Sequence, residues 1–452
     1  MPELNYWCEL AWLPPGEVVD GVLVRIEGSK IAEITPGMAE PPAGAVRLGG
    51  LTIPGMANTH SHAFHRALRG ATEREKGSFW TWREQMYGVA GTLNPDSYLR
   101  LARATFAEMA MAGITCVGEF HYLHHNPGGK PYDDPNAMGH ALVQAARDAG
   151  LRIALLDTCY LTGGFGVPLT GTQLRFGDGD AEGWAVRAEA LLEAYRGVDD
   201  VEVGAAIHSV RAIRAEQMPV ISKFSHHHAV PMHVHLSEQR AENAACVEVY
   251  AASPAQVLAE HDVLGPRSTA VHATHVSDVD IALLSQSSTY ICMCPTTERD
   301  LADGIGPART LFDAGSPLTL GSDSHAVIDL FEEARAVELD ERLVTERRGH
   351  WTAAELLQAA TAVGHASLGF PDAGTLVPGA WADLVSVRLD SVRTAGASPG
   401  SVPEMVIFAA TAADVHSVVS GGRRVVDGGR HVLGDVGAML NEAIAQARGE
   451  NA

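Results

Sequence analysis

Eight short apolar runs, separated by segments with a helical pattern, occupy most of the chain and constrain its fold most strongly. Strands that are apolar along their whole length belong to parallel sheets with helices on both faces. Eight such strand–helix units predict a closed (β/α)8 barrel. The alternative, an open doubly wound sheet, normally has a glycine-rich phosphate loop after its first strand, and this chain has none there. The predicted strands are Leu51–Asn58, Ile114–Phe120, Leu151–Asp157, Val201–Ile207, Pro231–Leu236, Thr269–Ala273, Thr289–Cys292 and Pro317–Gly321.

Glycines mark the ends of helical segments between these runs. Ser97–Ala112 is followed by Gly113, and Asn136–Ala149 is followed by Gly150. Glycine is common directly after a helix because it adopts a left-handed backbone without steric strain. A further helical segment, Ala353–Leu368, closes the alternating series.

Both ends of the chain have β-strand patterns with glycine turns. Residues 21–27 and 30–34 are separated by Gly28-Ser29, which predicts a hairpin. Residues 374–387 and 415–427 have the same character, and we expect all these segments to pair in a small β-sandwich. The predicted domains are a sandwich of residues 1–52 and 374–435, a barrel of residues 53–373, and a terminal helix and tail of residues 436–452.

The composition narrows the class of protein. Among 452 residues, 46% are apolar and 19% are charged, which is typical of a globular protein with a large core. A formal net charge of −22 without a basic cluster argues against binding to nucleic acid. No apolar run reaches the roughly 18 residues that cross a membrane, and the first residues lack the basic start of a signal peptide. Six scattered cysteines without a Cys-x-x-Cys pair indicate buried free thiols, so we expect a cytoplasmic protein.

Residue types that bind metal ions recur at the carboxyl ends of five predicted strands. In a (β/α)8 barrel these ends form the active site. His60 and His62 follow the first strand, and residues two apart on a strand point to the same side. The recurrence predicts a metal site. The candidate residues are His60, His62, His208, His233, His235, Glu238, His272 and Asp323.

Three histidines and one aspartate, with one position left for water, suit a catalytic zinc ion. Zinc lowers the pKa of water towards about 7 and so provides a nucleophile at neutral pH. A neighbouring group must then carry the proton to the leaving group, and Glu238 is placed for this role. The predicted ligands are His60, His62, one of His233 and His235, and Asp323.

The chain resembles the amidohydrolase superfamily, and within it the deaminases with one metal ion. The resemblance covers almost the whole chain, including the terminal β-rich segments. No lysine ends the fourth strand, where members with two metal ions have a bridging carboxylated lysine. The resemblance therefore implies one zinc ion per chain, and it also implies a homodimer. The shared motifs are Pro-Gly-x-x-Asn-x-His-x-His at residues 54–62, His-x-x-Glu at 235–238, His272, and Ser-Asp at 322–323.

The same resemblance implies a role for each residue. It selects His235 as the third histidine ligand and makes His233 a packed barrel residue. It further implies that Glu238 moves the proton, that Asp323 binds zinc and helps to deprotonate water, and that His272 stabilises the attacked carbon.

Longer motifs resemble the formimidoylglutamate deiminase family of histidine degradation. This second resemblance implies hydrolysis of N-formimino-L-glutamate, a small dicarboxylate with an amidine-like carbon, to N-formyl-L-glutamate and ammonia. The motifs are residues 60–64, 79–87, 119–125, 208–211 and 297–305.

The substrate contacts follow from the chemistry of a dicarboxylate. Arg83 and Arg211 can each bind one carboxylate through paired, charge-assisted hydrogen bonds. We expect Tyr122 and His208 to orient the rest of the substrate. The family pattern has glutamine where this chain has His65, and both side chains can hydrogen-bond a carboxylate.

Two other functions stay open from the sequence. A deaminase or chlorohydrolase of an aromatic heterocycle would use the same metal ligands, and the Arg83→Met variant distinguishes it because a neutral ring does not need this charge. A catalytically inactive barrel that acts as a binding or scaffold protein is the second, although the complete ligand set with Glu238 argues against it.

Overall fold

The computed structural model describes residues 4–72 and 79–449, which contain sixteen strands and fifteen α-helices. Residues 1–3 and 450–452, the outer ends of two predicted segments, lie outside the described residues. The strands are β1 Leu4–Leu13, β2 Glu17–Glu27, β3 Lys30–Thr35, β4 Val46–Pro54, β5 Met56–Ser61, β6 Ile114–His121, β7 Arg152–Cys159, β8 Val201–Ile207, β9 Met232–Leu236, β10 Ser268–His272, β11 Tyr290–Met293, β12 Leu318–Leu320, β13 Leu384–Val387, β14 Val415–Ser420, β15 Arg423–Asp427 and β16 Arg430–His431. The helices are α1 Phe79–Thr92, α2 Pro95–Met111, α3 Ala137–Ala149, α4 Ala181–Ala194, α5 Met218–His228, α6 Arg240–Tyr250, α7 Pro254–Glu260, α8 Asp278–Gln286, α9 Pro295–Asp300, α10 Ala308–Ala314, α11 Leu330–Thr345, α12 Ala353–Gln358, α13 Gly364–Ser367, α14 Val402–Ala409 and α15 Val436–Ala447.

Strands β5 to β12 form a parallel barrel in which each strand pairs with the next in the chain. The first and last strands meet through a bridge between Ser61 and Asp323. There the His62 N–H donates to the Asp323 carbonyl oxygen at 3.2 Å, and the Asp323 N–H donates to the His60 carbonyl oxygen at 3.0 Å. Every residue of β6 and β7 is buried, as expected for strands between a packed interior and a layer of helices.

The other strands form a second sheet from both ends of the chain, in the order β16-β15-β14-β13-β4-β1-β2-β3. Strands β1 and β4 are parallel, and the remaining pairs of this sheet are antiparallel. The predicted hairpin at Gly28-Ser29 joins β2 to β3. A barrel with a smaller β-rich unit built from both chain ends confirms the predicted fold class. The division of the chain at residues 52, 373 and 435 stays a prediction.

The predicted first barrel strand, Leu51–Asn58, is divided between the two sheets. Its first part belongs to β4 of the terminal sheet and its second part to β5 of the barrel. Gly55 lies at the junction, where its N–H donates to the Asp383 carbonyl oxygen at 3.1 Å. A Cβ at Gly55 would lie 2.2 Å from Thr115 Oγ1, so a larger residue does not fit. The apolar pattern does not reveal this division because both parts are buried.

The helices end close to their predicted bounds. Gly150 follows α3 with a φ of 79°, which is the left-handed helix stop that the sequence predicts. The predicted helix at residues 353–368 is α12, a π-helical turn at residues 359–363, and α13. The six cysteines are free and buried. Within the described ranges, no helix has both the length and the apolar character needed to cross a membrane.

Candidate active site

Four buried side chains converge where the first, fifth and eighth barrel strands end. The Nε2 atoms of His60 and His62 each lie 3.3 Å from Asp323 Oδ1, and His235 Nε2 lies 3.1 Å from His60 Nε2. Four tetrahedral ligands at about 2.0 Å from a zinc ion are separated by roughly 3.3 Å. The observed spacing therefore fits one small tetrahedral cation, and the four residues are the group that the sequence predicts as ligands.

Backbone carbonyl groups fix the orientation of two of these imidazoles. His62 Nδ1 lies 3.0 Å from the Phe120 carbonyl oxygen, and His235 Nδ1 lies 2.8 Å from the His208 carbonyl oxygen. A ring nitrogen that faces a carbonyl oxygen donates its proton, so in both residues Nε2 keeps its lone pair and faces the centre of the group. His233 is fully buried and does not belong to the group.

Left-handed backbone conformations are concentrated at the same strand ends. Ser237, His272 and Asp323 have φ values of 51°, 71° and 41°. Such conformations cost of order 1–3 kcal/mol in residues other than glycine and persist where the surroundings impose them. They turn the carboxyl ends of β9, β10 and β12 so that Glu238, His272 and Asp323 line one pocket.

His272 lies among three carboxylates. Its Nε2 is 3.8 Å from Glu238 Oε1 and 3.7 Å from Asp323 Oδ2, and its Nδ1 is 3.3 Å from Glu298 Oε1. Burial opposes protonation, but the three negative charges outweigh it and raise the pKa of His272 well above its ordinary value. The raised pKa favours the protonated imidazole, which can interact with negative charge developing in the pocket.

The pKa values of Glu238 and Asp323 are shifted in opposite directions. Burial raises the pKa of Glu238, which favours a group that takes up a proton. Burial also acts on Asp323, but its hydrogen bond to His60 and the neighbouring imidazoles lower its pKa overall. When the pKa values of two neighbouring carboxyl groups are shifted apart, the group with the raised pKa is the candidate proton carrier and the group with the lowered pKa is the candidate ligand.

The predicted substrate residues line the same pocket. His65 Nε2 lies 3.0 Å from the Tyr122 hydroxyl oxygen, and Arg83 lies 5.7 Å from the centre of the Tyr87 ring. Arg211 Nε lies 3.3 Å from Glu242 Oε2. The pocket-lining members of the predicted set are His62, His65, Arg83, Tyr122, His208, Arg211, His235, Glu238, His272 and Asp323.

Several residues of the site were not predicted from the sequence. Tyr160 and Phe176 also line the pocket, and the buried carboxylate of Glu242 pairs with Arg211. The position of Tyr160 directly after β7 is a signal that could have identified it, because strand ends line the active site of a barrel. Phe176 and Glu242 do not directly follow a barrel strand, so their positions in the sequence do not indicate that they belong to the site.

A buried polar network supports the first strand from the side. Glu119 accepts hydrogen bonds from Ser61 Oγ at 2.6 Å and from the Ala63 N–H at 2.7 Å. Ser61 Oγ also lies 3.2 Å from His325 Nε2. Burial raises the pKa of Glu119 to about 8, and these hydrogen bonds reduce the rise. The network fixes the backbone on both sides of His62.

Known proteins resemble the whole chain. The model of the amidohydrolase family matches residues 51–425. A formimidoylglutamate deiminase of Pseudomonas aeruginosa is 35% identical over 441 residues, which cover 94% of this chain and 95% of that protein. An 8-oxoguanine deaminase of the same organism is 30% identical, with 86% and 85% covered. The crystal structure of an amidohydrolase from Brucella melitensis superposes with a TM-score of 0.91 at 31% identity, with 98% and 99% covered. These matches confirm both resemblances that the motifs predict.

Proposed function

The chain belongs to the amidohydrolase family, and from that premise we propose that it hydrolyses N-formimino-L-glutamate to N-formyl-L-glutamate and ammonia. The observation that supports this most is a pocket in which two arginines accompany the His–His–His–Asp group, Glu238 and His272. The relative that is 35% identical over almost the full length is a formimidoylglutamate deiminase. The general reaction, hydrolysis of a carbon–nitrogen bond, is that of the family.

We propose that His60, His62, His235 and Asp323 hold one zinc ion. Their buried donor set of three imidazoles and one carboxylate, at tetrahedral spacing, fits this ion. When bound, zinc supplies a nucleophile at neutral pH by lowering the pKa of water.

The neighbouring side chains move and stabilise charge in this proposal. Glu238 accepts the proton of the attacking water and delivers it to the nitrogen that leaves as ammonia. Its raised pKa suits a group that is protonated and deprotonated in each cycle. His272 stabilises the charge that develops at the attacked carbon, because it carries a proton close to Glu238 and Asp323. Asp323 binds the metal and helps to deprotonate the water.

The pocket offers both signs of charge to the substrate. N-formimino-L-glutamate has two carboxylates and a basic amidine group. Arg83 and Arg211 bind the carboxylates in this proposal, and Glu242 holds the Arg211 guanidinium in place. Tyr122, His208 and His65 orient the chain between the two ends of the substrate.

A comparison of substrates tests the proposal. Zinc-loaded protein is supplied with N-formimino-L-glutamate or guanine, and ammonia release is measured. We expect release from the first substrate and a loss of roughly 10- to 100-fold in kcat/KM on Arg83→Met, because charge-assisted hydrogen bonds are removed. The matched variant Arg430→Met, at an exposed position of the terminal sheet, should behave as the parent. Turnover of guanine without turnover of N-formimino-L-glutamate would refute the proposal.

A deaminase of an aromatic heterocycle is the second candidate. Aromatic residues line the pocket, and a flat ring can stack on them. In that case Arg83→Met would leave activity almost unchanged. The aromatic residues that line the pocket are Trp82, Tyr87, Tyr122, Tyr160 and Phe176.

We further propose that the enzyme is a cytoplasmic homodimer. The free, buried cysteines support a reducing compartment. Light scattering of the purified protein tests the oligomeric state, and a mass near 47.9 kDa in solution would contradict the dimer.

A further inference from the structure

We propose that the active site contains a second cation site, formed by His272, Cys294 and Asp323, that takes a thiophilic divalent ion and thereby inhibits the enzyme. The inhibitory part rests on the proposed function, whereas the binding part rests on the geometry alone. One ligand atom from each of the three residues lies within 4.8 Å of the others, and all three residues are buried.

The two oxygen atoms of Asp323 face different groups. Oδ1 lies 3.3 Å from the Nε2 atoms of His60 and His62, whereas Oδ2 lies 3.7 Å from His272 Nε2. Ligands at 2.0 to 2.3 Å from a tetrahedral ion are separated by roughly 3.3 to 3.8 Å. The carboxylate can therefore bridge two ions, as carboxylates do in sites whose metal ions are about 3.5–4 Å apart.

Glu298 orients two of the three ligands. Its Oε1 atom accepts the Cys294 N–H at 2.9 Å and lies 3.3 Å from His272 Nδ1. Glu298 holds a proton on Nδ1 of His272, so Nε2 is the nitrogen that can bind a cation once it has released its own proton. This carboxylate–histidine arrangement is common behind metal-binding histidines. Glu298 is itself 5% exposed, so the contact is shielded from solvent.

The thiol of Cys294 determines which cations the second site binds. Cysteine sulfur is a soft ligand, and with imidazole it selects Zn²⁺ or Cd²⁺ over Mg²⁺ and Ca²⁺. Binding replaces the thiol proton of Cys294 and the Nε2 proton of His272 by the cation, and both protons pass to solvent. Cys292 Sγ lies 3.9 Å from Cys294 Sγ but is not part of the ligand group. Cys292 is equally buried, so it provides a matched control.

An ion at this position removes two groups from the proposed reaction. It occupies Nε2 of His272, and it lies next to Glu238 Oε1, which is 3.8 Å from that nitrogen. His272 can then no longer stabilise charge, and the negative charge of Glu238 is drawn to the cation. The enzyme with one zinc ion is active in this account, and the enzyme with a second, soft ion is not.

Cadmium titration tests the binding site directly. Protein with one zinc ion per chain is dialysed against Cd²⁺, and both metals are counted by elemental analysis while the ultraviolet thiolate-to-cadmium absorption is recorded. We expect one Cd²⁺ in addition to the retained Zn²⁺, with the absorption present. Cys294→Ser should abolish the absorption and weaken cadmium binding at least tenfold, whereas Cys292→Ser should retain both.

Three outcomes would overturn the inference. They are one-for-one replacement of zinc by cadmium, second-ion binding without thiolate absorption in the parent protein, and equal binding by Cys294→Ser. A missing absorption in the parent protein refutes the inference even if a variant does not fold. Metal counts need no substrate, so failure of this site and failure of the proposed deiminase activity are separate results. Inhibition is measured as the activity of each variant with cadmium divided by its activity without cadmium. We expect cadmium to inhibit Cys292→Ser and not Cys294→Ser.

Discussion

Burial determines how individual carboxylates behave in this molecule. The hydrogen bond to His60 and the neighbouring imidazoles lower the pKa of Asp323, whereas burial raises the pKa values of Glu238 and Glu119. The surroundings therefore suit one carboxyl group to the proposed role of ligand and another to the proposed role of proton carrier.

Glu238→Gln tests the role of proton carrier. Glutamine retains the shape and part of the hydrogen bonding but cannot take up a proton. We expect kcat for N-formimino-L-glutamate to fall about 10²- to 10⁴-fold, since this is the usual contribution of a general acid–base group. Zinc content should stay at one per chain, because Glu238 is not in the His–His–His–Asp group. A variant with full activity would show that another group moves the proton.

Glu119→Gln tests the buried neutral carboxyl group. The pKa of Glu119 is about 8 in the folded protein, above its value in the unfolded chain. The folded state therefore binds the proton more tightly, and its stability falls as the pH rises from about 4.5 to 8, by up to roughly 1.4 kcal/mol per pH unit. Glutamine removes this dependence. Urea unfolding between pH 5 and 8 should show a smaller decline in the variant, while Glu248→Gln at an exposed position of α6 should decline like the parent.

At the scale of elements, the segment after β12 packs closely against the first barrel strand. Gly321 precedes the turn to Asp323 and packs against the first strand. A Cβ at Gly321 would lie 2.8 Å from His60 Cβ and 3.0 Å from Cys294 Sγ. The close approach of these strands sets the distance between the first histidine pair and the aspartate.

Gly321→Ala should therefore reduce both stability and zinc affinity. Inserting a methyl group into such a site typically costs about 1–3 kcal/mol, and it would move His60 relative to Asp323. Chemical denaturation and zinc competition with a chelator measure the two effects. The control is Gly88→Ala in α1, where a Cβ meets no atom within 4 Å and alanine favours the helix by up to about 1 kcal/mol. Unchanged zinc affinity in Gly321→Ala would contradict this account of the strand contact.

The parts of the structure that could be predicted from the sequence are those with a local pattern of apolar residues or a short motif. The apolar runs locate the barrel strands, and the His-x-His and Ser-Asp motifs identify the metal group because strand ends converge by the geometry of the barrel. Glu242 beside Arg211 and Glu119 beside Ser61 could not be predicted. These pairs form through packing between distant segments, and nothing in the local sequence marks a carboxylate that is buried by such packing.

At the scale of the whole molecule, a buried ion pair joins the barrel to the terminal sheet. Arg152 at the start of β7 donates from Nη1 to Asp383 Oδ1 at 3.1 Å, and its Nη2 also contacts the carboxylate. Asp383 Oδ1 also accepts the Gly421 N–H at 2.8 Å, and Oδ2 accepts from Thr115 Oγ1 at 3.3 Å. One carboxylate thus connects two barrel strands with the turn between β14 and β15.

Asp383→Ala should destabilise the protein by about 3–5 kcal/mol, because it leaves the Arg152 guanidinium buried without its charge partner. Asp390→Ala removes the partner of Arg388 in an exposed pair and should leave the unfolding free energy almost unchanged. Equal effects in the two variants would show that the buried pair does not hold the two sheets together. Denaturant unfolding of both variants provides the comparison.

The central claim is that side chains from the first, fifth and eighth barrel strands bind one catalytic cation. Anomalous diffraction at the zinc absorption edge, from crystals of protein purified without added metal, tests it most directly. We predict one strong peak per chain at about 2.0–2.2 Å from His60 Nε2, His62 Nε2, His235 Nε2 and a carboxylate oxygen of Asp323. A zinc peak bound elsewhere, or a centre without anomalous density in an active crystal, would contradict it.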